Sequence, residues 1–233
     1  MTLTRQLAAI SCLALILACA SPAAAAPGAE TGHSTAFYDR IMDILKEPPK
    51  LEAPGPAAPP LVRRETPIFG PAEVSKEQMI SFIRRHNSLP RLSCAIEEIV
   101  EYYWEEAGHE GIRPDLALAQ ALLETGFFRF GGDVVPEQNN FAGIGTTGRG
   151  ARGAWFESAR IGVRAHIQHL LAYTTTREPL KPVVDPRYEL VRALPQYFAQ
   201  CSTWESLGGK WAIPGVDYGQ KIVRIVNYIK GSS

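Results

Sequence analysis

The segment from Asp115 to Gly145 constrains this chain more than any other. An apolar run, Leu116 to Leu123, is broken only by Gln120 and closes on one carboxylate, Glu124. Gly126 and two phenylalanines follow, and then a polar, glycine-rich stretch. Pro114 suits the first turn of a helix and Gly126 its end. A helix this apolar belongs in a core rather than on a surface. Leu122, Leu123, Phe127 and Phe128 are placed to exclude water from Glu124, and the negative pole of the helix faces its carboxylate. Both effects raise proton affinity, so such a group is able to hold a proton near neutral pH and deliver it. The bland alternative is a solvated glutamate at a frayed helix end.

Helical spacing recurs elsewhere. Ser75 and Gln78 resemble a capping box, followed by Met79, Ile80, Phe82 and Ile83. A second helix is predicted from Ser93 to Ala107 on the spacing of Ile96, Ile99, Val100, Tyr103 and Ala107, with Gly108 and Gly111 ending it. Helix resumes near Ala159 with an apolar surface wider than one stripe. It is expected again from Arg187 to Ala199, disrupted by Pro195, and from Asp217 onward. Between Gly126 and Gly162 the pattern changes. Phe141 to Gly145 and Gly153 to Glu157 read as short strands of a hairpin around a loop at 146–152. The expected class is α+β, a mainly helical domain with a small β-hairpin insertion.

The N-terminus reads as an export signal over residues 1–25. Arg5 supplies the positive start, Leu7 to Ala20 the apolar core, and Ala23 and Ala25 the small residues of a cleavage site. That core is too short for a typical membrane-spanning helix. The location implied is periplasmic or extracellular, with a lipoprotein modified at Cys19 as the alternative. Residues 26–71 form a Pro/Ala-rich linker, expected to be mostly disordered, with one amphipathic piece from Tyr38 to Leu45. Residues 72–233 are assigned to the compact domain, and the compact structure is expected to start near Ile68. Cys94 and Cys201 remain in the mature chain. In an oxidising compartment they either pair, closing a loop worth about 4–5 kcal/mol in the chain-entropy model, or stay as separate buried thiols.

Lys+Arg and Asp+Glu both total 24, so the formal net charge is zero. A broad basic field for nucleic acid or an anionic membrane is therefore not expected. The glycine-rich loop lacks the GK[ST] of a phosphate loop, so nucleotide binding is not expected either. His166 and His169 share one helix face, but no third ligand accompanies them. They read as structural histidines, and neither metal nor organic cofactor is implied.

Taken together, several separated motifs resemble the bacterial glucosaminidase family of cell-wall hydrolases. They are Ala119 to Gly126, Phe130 to Asp133, Pro136 to Gln138, Asn139 to Gly145, Gly162 to Leu170, Gly209 to Ala212 and Asp217 to Gly219. The likeness spans about Val74 to Ile229. It implies a lysozyme-like α+β fold, peptidoglycan glycan strands as substrate, cleavage beside N-acetylglucosamine, and Glu124 as general acid. A muramidase or a lytic transglycosylase on the same scaffold is the nearest rival, and a non-catalytic wall-binding module the rival of another class. Glycan cleavage also needs support for an oxocarbenium-like carbon. Asp133, Glu137 and Glu157 are the candidate second carboxylates, with the substrate's own 2-acetamido group as the alternative. Gln138, Asn139 and Asn140 offer amides to a sugar or, equally, to a turn. Phe141, Trp211 and Tyr218 are aromatic candidates for the groove or for the core.

Overall fold

The computed structural model describes residues 65–147, 150–213 and 215–232. The export signal, the linker, Cys19 and the Tyr38–Leu45 piece lie outside the described residues. Six α-helices carry the fold: α1 (Lys76–His86), α2 (Ile96–Glu110), α3 (Pro114–Thr125), α4 (Ala159–Thr174), α5 (Tyr188–Arg192) and α6 (Tyr218–Gly231). Two 3₁₀ turns, Pro136–Gln138 and Glu205–Leu207, complete the regular structure among the described residues.

Helix α3 is the axis of the domain. It packs against α2 on one side and α6 on the other, and α2 in turn packs against α4. Every residue of α3 except Glu124 is buried. The start of α3 is pinned by charge. Asp115, fully buried, accepts from Arg113 Nη2 at 2.8 Å, from Arg113 Nε at 3.2 Å and from the backbone N–H of Glu73 at 2.8 Å. A buried pair of this kind survives because both partners are fully hydrogen-bonded. The end of α3 is set by Gly126, whose φ of +60° and N–H bond to Leu122 O close the helix in the left-handed region.

The capping box on α1 forms as expected. Ser75 Oγ accepts from Gln78 N at 3.2 Å and Gln78 Oε1 accepts from Ser75 N at 2.7 Å. The second helix starts and ends three residues later than the sequence suggests, because Gly108 is tolerated inside it and Gly111 takes the left-handed cap. Ile68 is fully buried, clamped by Ile68 N to Ser202 O at 3.2 Å and Arg113 N to Ile68 O at 3.0 Å. The stretch expected to be helical from Arg187 to Ala199 is helical only from Tyr188 to Arg192; beyond it Pro195 interrupts the pattern and Ala199 turns to φ +52°.

One expectation is corrected, and the alternative left open for Cys94 and Cys201 is decided. No regular strand occurs among the described residues of 141–157, so the hairpin is not formed. Ala154 N does reach Ile144 O at 2.8 Å, but Ile144 N donates to Asn140 Oδ1 at 2.9 Å and the Ala154 carbonyl is taken by side-chain amides, so no ladder continues. Asn140 Nδ2 donates to Ile144 O at 2.9 Å and Ala154 O at 3.2 Å, and Gln138 Nε2 donates to Ala154 O at 3.1 Å. Cys94 and Cys201 are both free. Cys201 is buried, with its backbone N–H on Tyr173 O and its thiol on Ser206 O at 3.3 Å, whereas Cys94 is half-buried ahead of α2. Burial pushes the Cys94 thiol up to about 11, with the nearby Glu98 charge adding to it, so it is not a poised nucleophile.

Candidate active site

Glu124 is the one residue of α3 that keeps access to solvent, and it opens onto a cleft of about 410 Å³. The cleft is bordered by the Ala142–Thr146 strip, by His169 and Tyr173 of α4, by Arg187, Tyr197 and Trp211. Glu124 makes no ion pair with a described residue. Burial pushes its carboxyl up to about 7, while hydrogen bonds from Tyr218 and Trp211 pull the other way. Desolvation wins, which keeps a transferable proton on the group near neutral pH. The two donors then stand ready to stabilise the carboxylate once that proton leaves.

The backbone after Glu124 is held in an unusual shape. Phe127, Phe128 and Phe130 have φ of +58°, +58° and +55°. Left-handed geometry costs an ordinary residue about 1–2 kcal/mol each. Burial of Phe127 and Phe128, both fully inaccessible, offsets it, and so do two long-range hydrogen bonds. Asn87 Nδ2 donates to Phe127 O at 2.7 Å and Arg91 N to Phe128 O at 2.9 Å. This turn swings the chain away from α3 and leaves Glu124 uncovered. Asn87→Ala strands the Phe127 carbonyl in a buried position. We expect it to cost about 1–3 kcal/mol, read as a lower urea midpoint with unchanged slope.

The sequence-predicted residues divide sharply. Tyr218, 1% exposed, donates from its hydroxyl to Glu124 Oε1. Trp211 lines the cleft and packs against His169 at 5.0 Å and Tyr173 at 5.4 Å between ring centroids. Gln138, Asn139 and Asn140 are instead buried and occupied by the fold. Asn139 Nδ2 donates to Phe156 O at 3.0 Å, and its own carbonyl lies so close to α4 that a Cβ at Gly162 would come within 1.8 Å of it. These amides shape the Ala142–Thr146 strip rather than present themselves to a ligand. Phe141 is a core residue, 1% exposed and edge-on to Phe128 at 6.0 Å. Asp133, Glu137 and Glu157 do not line the cleft. Asp133 caps Gly150 N at 3.0 Å, and the other two are exposed.

Sequence reasoning missed Tyr173, Arg187 and Tyr197 as cleft residues, and it set His169 aside as structural. His169 Nδ1 meets Asp185 Oδ2 at 2.7 Å, and Asp185 Oδ1 accepts from Arg187 N at 2.8 Å. Asp185 is 3% exposed, so one buried carboxylate fixes both the imidazole and the start of the segment carrying Arg187. The signal available was the spacing of His169 and Tyr173, four apart on one helix face. Arg187 arrives through tertiary packing alone. Among the described residues no group of histidines, cysteines and carboxylates is arranged to hold a metal ion. Nor is any described helix long and apolar enough to cross a membrane.

The family model for mannosyl-glycoprotein endo-beta-N-acetylglucosaminidase matches residues 100–231, more than half of the chain and the whole of the Glu124 cleft. An uncharacterized protein of Borreliella burgdorferi is 34% identical over 173 residues, 66% of this chain and 79% of that protein. No solved structure matches at comparable significance. With the motif order, the Glu124 cleft and the family match in agreement, the chain belongs to the glucosaminidase family of glycoside hydrolases.

Proposed function

We propose that this protein is an exported peptidoglycan hydrolase that cuts the glycan strand beside N-acetylglucosamine, with Glu124 as the general acid. The observation that carries this reading is a carboxyl held up at about 7 on the floor of an open cleft, at the end of an otherwise buried helix. In the reaction, Glu124 gives its proton to the leaving glycosidic oxygen, and Tyr218 and Trp211 hold the resulting carboxylate. Glu124 is the single carboxylate lining the cleft among the described residues. That supports stabilisation of the oxocarbenium-like carbon by the substrate's own 2-acetamido group. Tyr173, Tyr197 and Trp211 supply flat apolar faces for sugar rings. Residues 1–25 would direct export to the periplasm or the exterior, where this substrate lies.

Digestion of purified peptidoglycan followed by mass analysis of the ends tests the bond cut. We expect reducing N-acetylglucosamine. Reducing N-acetylmuramic acid or an anhydro end would assign the protein to the muramidase or transglycosylase chemistry instead.

Arg187 bears on substrate choice. Its guanidinium borders the strip at Gly145, where a Cβ would lie 3.6 Å from Nε, and it is the one permanently cationic side chain lining the cleft among the described residues. Peptidoglycan carries lactyl and peptide carboxylates that uncharged N-acetylglucosamine oligomers lack. Arg187→Gln should lower kcat/KM on peptide-bearing peptidoglycan about tenfold more than on such an oligomer, the size of one charge-assisted hydrogen bond. Equal losses on both would remove Arg187 from carboxylate recognition.

A further inference from the structure

A line of buried hydrogen bonds runs inward from Glu124. Tyr218 Oη donates to Glu124 Oε1, and Gln120 Nε2 donates to Tyr218 Oη at 2.8 Å. Gln120 Oε1 meets His166 Nε2 at 3.0 Å, and His166 Nδ1 meets Tyr103 Oη at 2.9 Å. Tyr103, Gln120 and His166 are fully buried and Tyr218 is 1% exposed. The line joins α2, α3, α4 and α6, and it ends on Glu124 Oε1. The other oxygen, Oε2, borders Gly143 in the cleft, 3.7 Å from where a Cβ on that residue would sit.

Donor counting gives the line a direction. Burial holds the His166 imidazole down at about 3, so it is neutral and carries one N–H. If that hydrogen is on Nε2, it goes to Gln120 Oε1, and Tyr103 gives its own proton to Nδ1. The Gln120 amide then gives a hydrogen to Tyr218, whose single proton is left for Glu124. Every hydrogen that lies along the line then has an acceptor, and the second Gln120 amide hydrogen is common to both orientations of the amide. Turned the other way, with the Gln120 amide flipped, Nδ1–H would point at Tyr103 Oη. The Tyr103 proton would have no acceptor in a fully buried position, which costs about 1–3 kcal/mol. In that arrangement Tyr218 would donate to Gln120, and the Glu124 proton would sit on Oε1, facing inward.

We propose that Tyr103, His166 and Gln120 act as a one-way chain of donors that aims the Tyr218 hydroxyl at Glu124 Oε1 and thereby confines the acid's transferable proton to Oε2, the cleft-side oxygen. The three are positioning residues, acting through Tyr218, and the inference rests on Glu124 being the acid. Other titratable or charged groups around the acid are His169 and Tyr173 of α4, Arg187 and Tyr197, all across the cleft. None of these belongs to the line, but His166 also packs on Trp211 at 5.7 Å between ring centroids, so Tyr103→Phe is the variant that leaves the cleft wall in place.

The test is the pH-rate profile on purified peptidoglycan for the wild type, Tyr103→Phe, His166→Phe and His166→Gln. Tyr103→Phe removes one oxygen four hydrogen bonds away from the acid. Loss of direction lets Tyr218 turn to Gln120, so the carboxylate loses a donor and its proton is held more tightly. We expect kcat to fall about 3- to 10-fold with KM unchanged, and the alkaline limb to move to higher pH, in both phenylalanine variants. His166→Gln, whose amide nitrogen reaches the place of Nε2, should return the limb toward the wild-type position. Should His166→Phe fail to fold, Tyr103→Phe carries the test alone. A folded Tyr103→Phe with wild-type kcat and an unmoved limb overturns the chain while leaving Glu124 as the acid. Inert wild-type protein would instead overturn the glycosidase reading. In that event, titration of ¹³C-labelled Glu124 in wild type and Tyr103→Phe still decides the inference, with equal midpoints counting against it.

Discussion

Glu124→Gln is expected to lower kcat on peptidoglycan by about 100-fold or more, the usual cost of removing a general acid, with binding to the wall retained. The substitution is nearly isosteric. The carbonyl oxygen of the introduced amide can still accept from Tyr218, and the cleft keeps its aromatic walls at Tyr173, Tyr197 and Trp211. What is lost is the proton itself, since an amide cannot donate one to a leaving oxygen. The measurement is release of reducing ends from purified peptidoglycan, alongside sedimentation of the protein with the insoluble polymer. Bound and inactive variant protein is the expected result. A variant as active as the wild type would sink Glu124 as acid, whereas a wild type that binds the wall and releases no ends would favour a wall-binding module. The same chemistry sets the pH profile. Activity needs the protonated acid, so kcat should decline as pH rises through about 7, where burial has placed the Glu124 carboxyl.

The same variant should also be more stable than the wild type, by a margin that grows with pH. The Glu124 carboxyl lies near 4.5 in an unfolded chain and at about 7 in the folded one. Its contribution to stability is fully present below about pH 4.5 and is lost as pH rises through 7, because the fold then has to hold a desolvated anion that the unfolded chain exposes to water. The gap between 4.5 and about 7, at about 1.4 kcal/mol per pH unit, makes the ionised group a burden on the order of 3 kcal/mol above pH 8. Glutamine carries no such burden. Urea unfolding at pH 5 and pH 8 should therefore show a gain for Glu124→Gln that is small at the lower pH and grows to roughly 2–3 kcal/mol at the higher one. An equal difference at both pH values would mean that the carboxyl is not held protonated by the fold. Loss of rate together with gain of stability is the signature of a residue kept for chemistry against the preference of the core.

Much of this architecture was legible in the chain. The position of α3 follows from Pro114, the apolar run and Gly126, and that of α1 from Ser75 and Gln78; both are local signals that the structure repeats. Glu124 stood out for the same reason, as the one acid at the end of an apolar helix. The amide trio Gln138, Asn139 and Asn140 could not be assigned, because a buried amide that satisfies backbone carbonyls and an exposed one that meets a sugar have the same sequence. The hairpin failed on the same point. Phe141 to Gly145 and Gly153 to Glu157 have strand-like composition, yet the side chains of Gln138 and Asn140 take the Ile144 N–H and the Ala154 carbonyl that a ladder would use.

By itself, then, the sequence determined which segments are helical, where α3 stops and which carboxylate is left at its end, since spacing, caps and turn residues act over a few positions. Tertiary structure decided what surrounds that carboxylate. Tyr173, Arg187, Tyr197 and Trp211 reach the cleft, and Tyr103, His166, Gln120 and Tyr218 join in one line, only because four helices are packed on one another. Desolvation and hydrogen-bond direction depend on neighbours dozens of residues away in the chain, and no local pattern encodes them.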